Sequence, residues 1–239
     1  MLAAGKGTRM RSPSPKVVHL AAGRPLLHWV LDVAREVPCE EVVVVVGYGA
    51  GEVRKQTRDA GIKWVVQAEQ LGTGDALAQA EGMVPAGALL LVLSGDIPLL
   101  RASTARALLA AADRGWGAMA VAELDQPGHL GRVIATPEGF LVRSVEAADA
   151  SAEELKTRLV NAGAYALPAG DVFDYLRRVG SDNAQGEIYL PDALNLAAAE
   201  GREVCCIPLA DTSEAWGVNT PEELSLVHEH LLARGRDEE

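Results

Sequence analysis

The stretch that decides the fold class covers residues 42–47 and consists of Val-Val-Val-Val-Val-Gly. Five β-branched residues in succession, stopped by a glycine, predict a strand that is buried on both faces. A second apolar run covers residues 88–93 and ends at Ser-Gly-Asp. Shorter runs of the same kind predict further strands at residues 63–66, 117–121 and 203–208.

Segments with helical spacing alternate with these strands. Pro25 opens the first, because proline suits the first position of a helix, and apolar residues recur from Leu26 to Ala34. Further helices are predicted at residues 50–60, 75–82 and 104–114, the last with Ser103 as its cap. This alternation predicts an α/β fold with a Rossmann-like, doubly wound and mostly parallel sheet.

The pattern changes after Gly117. Residues 131–136 and 140–147 flank Pro-Glu-Gly and predict a hairpin, and residues 159–167 predict another strand. The remaining predicted helices cover residues 171–179, 190–199 and 222–233. We therefore expect one domain over residues 1–234 and a polar, frayed tail over residues 235–239.

Composition narrows the possible functions. The chain has 239 residues, of which 49% are hydrophobic, which is enough for a sizeable core. Its formal net charge of -11 argues against a nucleic-acid surface, which needs clustered Lys and Arg. The three cysteines have neither disulfide nor zinc spacing, and no apolar run is long enough to span a membrane. We therefore expect a cytoplasmic protein that binds neither nucleic acid nor membranes.

A glycine-rich loop gives the first indication of chemistry. Residues 2–10 are Leu-Ala-Ala-Gly-Lys-Gly-Thr-Arg-Met, and Pro15-Lys16 follows. Small residues let backbone N–H groups approach a phosphate, and nearby cations neutralise it. The spacing fits neither a dinucleotide-binding motif nor a Walker loop, and the alternative is an ordinary glycine turn with solvated charges.

Two further motifs offer ligands for a metal ion. Asp96 follows a predicted strand, and open α/β sheets bind ligands at the carboxyl ends of their strands. A carboxylate there suits Mg²⁺, although Asp96 could equally cap a turn. Asn219, in Gly-Val-Asn-Thr-Pro at residues 217–221, offers a neutral oxygen to the same ion or is a turn residue before a helix.

The last two motifs precede predicted helices. Residues 67–74, Gln-Ala-Glu-Gln-Leu-Gly-Thr-Gly, can present an amide and close backbone to a base. The alternative is a polar loop in which Thr73 caps a helix. Residues 183–192 are Asn-Ala-Gln-Gly-Glu-Ile-Tyr-Leu-Pro-Asp and form the other motif. Its alternative interpretation is an ordinary surface loop before a helix.

In this order, the five motifs resemble the uridylyltransferase domain of bacterial N-acetylglucosamine-1-phosphate uridylyltransferases, from Leu2 to about Leu224. The motifs at residues 2–10 and 95–99 are shared by many sugar nucleotidyltransferases, whereas those at 67–74 and 183–192 select the N-acetylglucosamine branch. The resemblance implies a fold of the nucleotide-diphospho-sugar transferase type. It also implies Mg²⁺-dependent transfer of UMP from UTP to N-acetylglucosamine 1-phosphate, which yields UDP-N-acetylglucosamine for peptidoglycan and lipopolysaccharide precursors.

The resemblance also implies a role for each matched residue. Arg9 and Lys16 would be catalytic, and Asp96 and Asn219 would bind Mg²⁺. The amino sugar would contact Gly131, Glu146 and Asn161. The nucleotide would contact Leu2, Ala3, Ala4, Gly5, Lys16, Gln67, Gly72 and Thr73.

Some features depart from the family pattern. Ala148 stands where a lysine is usual, and Ser94 stands where a tyrosine is common. Another sugar phosphate or a cofactor precursor is therefore an alternative acceptor, and a sugar-nucleotide-binding protein without turnover is an alternative function. Relatives deliver the opening loop from a buried apolar strand, whereas only Met1 and Leu2 precede Ala3. Either an upstream strand is missing from this numbering, or the sheet lacks most of its middle strand. The acetyltransferase half that drives trimerisation in two-domain relatives does not follow, so the oligomeric state stays open.

Overall fold

The structure is a computed structural model that describes residues 1–237. In this part of the chain the strands are β1 Leu2–Ala3, β2 Leu20–Ala21, β3 Arg24–Pro25, β4 Val42–Val46, β5 Ile62–Val66, β6 Leu89–Leu93, β7 Gly117–Glu123, β8 Arg132–Ala135, β9 Leu141–Val145, β10 Leu159–Pro168 and β11 Val204–Pro208. The α-helices are α1 Leu26–Arg35, α2 Ala50–Thr57, α3 Thr73–Ala78, α4 Ala102–Ala112, α5 Ala169–Leu176, α6 Leu190–Ala199 and α7 Pro221–Asp237.

Two sheets meet at β1. β1, β4 and β5 pair in parallel, and a parallel bridge between Leu2 and Ser94 joins them to β6. In the second sheet β11 pairs in parallel with β7, whereas β10 runs antiparallel to β6, β7 and β8. The α/β fold is confirmed, but the second sheet is mixed because the chain leaves the β8–β9 hairpin and returns between β6 and β7.

The valine strand is buried on both faces, as its composition predicts. Val44 and Val46 belong to a core with Leu31 and Val53, whereas Val45 packs in a core with Ala76 on the opposite face. Helices α1 and α4 share a core with β6, β7 and β10, and helices α3, α5 and α6 share another with the same strands. The helices therefore cover both faces of the strands that carry the polar motifs.

Neither Pro25 nor Ser103 has the predicted role at the start of its helix. Pro25 is not the first helical residue, because its backbone is extended at φ -54° and ψ 142° and α1 begins at Leu26. Ser103 is not the cap of α4, which begins at Ala102. The carboxylate of Glu214 instead accepts from the backbone N–H of Arg101 (2.9 Å), at the start of this helix.

Helix ends differ as well. α2 ends at Thr57, because Arg58 adopts a left-handed conformation with φ 39°, and α3 ends at Ala78. α7 continues to Asp237, so it includes residues 235–237 of the predicted tail, and residues 238–239 lie outside the described residues. Within the described range, no helix is long and apolar enough to cross a membrane.

β1 is short and leaves a space between its neighbours. β4 and β6 each have five residues, whereas β1 has two. A cavity of about 490 Å³, which we call the apolar slot, lies between β4 and β6 beside Met1. Its walls come from α1, α3, β4 and β6 and include Val37, Leu77, Val43 and Leu91. The amino group of Met1 donates to Val43 O (2.7 Å), and burial lowers its pKa to about 6.

Candidate active site

A cleft of about 550 Å³ gathers most of the predicted motifs beyond the end of β6. It is formed by the 3-10 turn Thr8–Met10, the start of α3, the loop after β6, the β8–β9 hairpin, β10 and the segments before α6 and α7. The predicted site residues that line it are Arg9, Thr73, Asp96, Gly131, Glu146, Asn161 and Asn219. The structure therefore brings together residues that the sequence separates by up to 210 positions.

One end of the cleft is organised around Lys16. Its ammonium group donates to Asp96 Oδ2 and, at 2.9 Å, to Asn219 Oδ1. The backbone of Asp96 accepts from the N–H of Val218 (2.9 Å), which keeps Asn219 beside the end of β6. The carboxylate of Glu223 accepts from the N–H of Asn219 at 2.7 Å and fixes the start of α7.

The same two oxygens fit a divalent cation. A carboxylate oxygen and an amide oxygen converge on one positive charge, and hard cations such as Mg²⁺ prefer such oxygens. The described residues contain no group of three or more His, Cys, Asp or Glu side chains that could hold a metal. The protein would therefore supply few ligands, and substrate oxygens would complete the coordination.

The glycine-rich loop connects β1 to this end of the cleft. Gly7 has φ 63°, and a Cβ built there would lie 2.7 Å from the Cβ of Lys16, so glycine lets the loop pack against the lysine. Ala4 is buried, whereas a Cβ at Gly5 would face open space. Gly5 is exposed, whereas Leu2 and Ala3 form β1 and Ala4 is buried directly after it.

The loop of residues 67–74 is held by Gln67, whose side chain is buried. Its Nε2 donates to Gly72 O (3.1 Å) and Asp75 Oδ2 (2.7 Å). Gln67 and Gly72 therefore lie behind the wall of the cleft, while Thr73 lies in it. Thr73 is the first residue of α3 rather than its cap, and its Oγ1 accepts from the N–H of Leu190.

The motif at residues 183–192 is joined to this loop by the backbone. Ile188 N donates to Leu71 O (2.7 Å), and Gly74 N donates to Ile188 O (2.8 Å). Gly72 has φ 107°, and a Cβ there would lie 2.5 Å from Ile188 O. The two motifs thus form one wall of the cleft, although more than a hundred residues separate them.

The other end of the cleft holds the predicted sugar-binding residues. A Cβ at Gly131 would lie 3.4 Å from Glu146 Oε1, so the carboxylate packs against the glycine backbone. Asn161 donates to Tyr165 Oη (2.7 Å) and accepts from the N–H of Gly163 (3.0 Å), which fixes its amide.

Glu146 is the most strongly perturbed carboxyl group in the cleft. Burial raises its pKa to about 7, and the neighbouring carboxylates of Asp192, Asp149 and Glu187 contribute to the rise. Ala148 also lines the cleft and carries no charge to oppose them. Near neutral pH, Glu146 can therefore either donate or accept a hydrogen bond.

Three further residues belong to the site although no role was predicted for them. The buried hydroxyl of Tyr189 lines the cleft and has no hydrogen-bond partner among the described residues. His129 also lines it, and burial followed by the charge of Arg9 lowers its pKa. Ser94 donates to Gly163 O (3.0 Å) and so joins the end of β6 to β10. Tyr189 lies in a quoted motif, which was a usable signal, whereas nothing around His129 marks it.

The comparisons with known proteins agree with the motifs. Residues 1–163 match the model of the MobA-like NTP transferase domain. The bifunctional protein GlmU of Alkalilimnicola ehrlichii is 45% identical over 219 residues, which cover 92% of this chain and 47% of that protein. GlmU of Burkholderia orbicola is 43% identical over 236 residues, which cover 98% of this chain and 52% of that protein. The chain thus spans about half the length of these curated relatives, and they confirm the resemblance to the bacterial bifunctional family.

Two solved structures share the fold. A crystal structure of UDP-glucose pyrophosphorylase complexed with UDP-glucose has a TM-score of 0.73 and 17% identity, and the match covers 98% of this chain and 97% of that one. The inositol-1-phosphate CTP transferase from T. maritima has a TM-score of 0.71 and 20% identity, with 95% and 91% covered. The fold of the nucleotide-diphospho-sugar transferase type is confirmed. Because the family model matches more than half of its residues, the chain belongs to the MobA-like NTP transferase domain family.

Proposed function

We propose that the protein transfers UMP from UTP to N-acetylglucosamine 1-phosphate and releases pyrophosphate. The observation that carries the proposal is one cleft with a cationic end at Lys16 and a hydrogen-bonding end at Glu146 and Asn161. The likeness to GlmU proteins supports the choice of substrates. The site residues span positions 9 to 219, which supports a single nucleotidyltransferase domain over residues 1–234.

In this reaction a phosphate oxygen of the acceptor attacks the α-phosphorus of UTP, the bond to the bridging oxygen breaks, and pyrophosphate leaves with that oxygen. Transfer of this kind depends on positioning and on neutralising charge. Lys16 and Arg9 would stabilise the charge on the α-phosphate and on the leaving pyrophosphate. Asp96 and Asn219 would hold Mg²⁺, which supplies further neutralisation of the phosphates when bound. The reaction requires no nucleophilic side chain, because the attacking oxygen belongs to the acceptor.

The two walls would orient the substrates. The backbone around Gly5 and at Thr73 would contact the nucleotide, with Gln67 and Gly72 holding the second segment in place. Glu146 and Asn161 would form hydrogen bonds with the amino sugar. We propose that the reaction takes place in the cytoplasm and supplies precursors of peptidoglycan and lipopolysaccharide.

Lys16→Ala tests the cationic end directly. We expect turnover to fall about 100-fold or more, because removing one preorganised charge that stabilises the transition state has about that effect. Lys6→Ala is the matched control, since Lys6 is in the same loop but lies over the ring of Tyr48. Pyrophosphate release would be measured with UTP, Mg²⁺ and N-acetylglucosamine 1-phosphate, and thermal melts would confirm the fold. Near-normal turnover of Lys16→Ala would refute its role.

A second candidate acceptor follows from Ala148, which supplies no cation to Glu146, so the charged neighbours that shift the pKa of Glu146 are all carboxylates. Another sugar phosphate or a cofactor precursor would then replace N-acetylglucosamine 1-phosphate. A grid of four nucleoside triphosphates and several phosphorylated acceptors separates these possibilities in one assay of pyrophosphate release. Binding of UDP-N-acetylglucosamine with no turnover of any pair would instead indicate a binding protein.

A further inference from the structure

The ammonium group of Lys16 occupies the point where a cation held by Asp96 and Asn219 would lie. It is within hydrogen-bond reach of both side-chain oxygens. The side chains of Lys16 and Asp96 are only 13% and 20% exposed, so solvent screens their attraction less than at an open surface. Lys16 therefore already neutralises the carboxylate of Asp96.

The surroundings offer a divalent ion little compensation for this lysine. Asn219 is neutral, and the carboxylate of Glu223 accepts from the N–H groups of Asn219 and Thr220 at the start of α7. Arg9 adds a second positive charge to the cleft wall. A divalent ion beside Asp96 would thus lie against an ammonium group and receive few protein ligands.

The backbone lets the tip of Lys16 move while its base stays fixed. Gly7 packs against its Cβ, because a side chain there would approach to 2.7 Å, and Val17 and Val18, which follow it, are buried. The flexible methylene chain can therefore carry the ammonium group away from Asp96 without movement of the main chain. A triphosphate in the cleft would offer that group a more strongly charged partner.

We propose that Lys16 excludes divalent cations from Asp96 and Asn219 in the nucleotide-free protein, and that nucleotide phosphates admit the metal by drawing Lys16 away. Lys16 is then a positioning residue for metal entry as well as a group that binds phosphate. The proposal rests on the proposed function for the triphosphate, but exclusion of the metal does not depend on which nucleotide or acceptor is used.

The test uses Mn²⁺ on the full chain, with water-proton relaxation as the readout, because relaxation is enhanced when the ion is bound to the protein. We expect no enhancement from wild-type protein with Mn²⁺ alone, and enhancement after UTP is added. Lys16→Met should bind Mn²⁺ alone at least tenfold more tightly than wild type. Lys16→Arg should restore exclusion.

Two controls locate the effect. Arg9→Met removes a positive charge from the same cleft but not the contact with Asp96, so it should raise the Mn²⁺ affinity far less than Lys16→Met does. Adding Asp96→Asn to Lys16→Met should remove the gained affinity. Equal Mn²⁺ affinity of wild type, Lys16→Met and Lys16→Arg without nucleotide overturns the inference. These measurements contain no substrate, so their result does not test the proposed reaction. If Lys16→Met does not fold, the wild type still tests the inference: tight Mn²⁺ binding by wild-type protein without nucleotide overturns it.

Discussion

Glu146→Gln should stabilise the protein at alkaline pH. The pKa of Glu146 rises from 4.5 to about 7 in the folded chain, with burial as the main cause. Because the folded pKa is raised, ionisation destabilises the fold: the cost is absent below pH 4.5, grows as the pH increases and is complete above pH 7. At about 1.4 kcal/mol for each pKa unit, the full cost is about 3 kcal/mol.

Glutamine has nearly the same shape and does not ionise, so it removes this cost. We expect a gain in the free energy of unfolding of about 3 kcal/mol at about pH 8, and of about 1 kcal/mol or less at about pH 5. Urea denaturation at the two pH values measures both. Glu153→Gln is the control, because Glu153 is 82% exposed and pairs with Lys156 at the surface. It should have a small effect at both pH values.

The decisive quantity is the difference between the gains in the free energy of unfolding at the two pH values. An equal effect of Glu146→Gln at both would refute the claim that ionisation of a buried carboxyl destabilises this end of the cleft. We also expect the variant to bind the acceptor more weakly, because the amide cannot ionise and accept with both oxygens. A more stable protein with poorer acceptor binding would identify Glu146 as a site where function is retained at the expense of stability.

Three further predictions concern the apolar slot and the cleft. Adding four apolar β-branched residues before Met1 should fill the slot and raise the free energy of unfolding by about 3 kcal/mol. Burying each such side chain contributes about 2.3 kcal/mol and ordering its backbone costs about 1.5 kcal/mol, which leaves about 0.8 kcal/mol per residue. Urea denaturation checks this, four added Gly and Ser residues are the control, and equal stability of the two extended proteins would contradict it. Gly72→Ala should destabilise the fold by about 1–3 kcal/mol, because φ is 107° and a Cβ would meet Ile188 O. Gly82→Ala is the control and should not destabilise the fold in this way, because a Cβ at Gly82 meets open space. Similar thermal melts of the two variants would refute the argument. Ala148→Lys should lower the pKa of Glu146 and move the pH dependence of the acceptor KM to lower pH, and an unchanged profile would show that the introduced ammonium group does not reach the carboxylate.

Regular elements were predictable where local pattern and burial agree. The valine run at residues 42–46 forms a strand with those bounds, and the helix at residues 190–199 begins and ends as predicted. Ends governed by distant groups were not: the start of α4 depends on Glu214, which lies more than a hundred residues away in the chain. Local pattern contains no information about such partners.

The features of the site also differ in how far the sequence could predict them. The resemblance assigned Lys16 to the phosphates and Asp96 and Asn219 to Mg²⁺, and the structure brings the three side chains into contact. The assignment of Gln67 to the uracil stays a prediction, because its amide is bonded to Gly72 and Asp75. The raised pKa of Glu146 was beyond sequence reasoning, since it depends on burial and on carboxylates from three other positions.

The hydrogen bonds between residues 71–74 and 188–190 have a consequence for engineering this enzyme class. Three bonds cross between the segments, and Gly72 leaves no room for a side chain between them. A graft that exchanges one segment for that of a homologue with another specificity would mismatch the other. Both segments must therefore be transplanted as a pair, and any substrate preference set by one would be inherited together with the other.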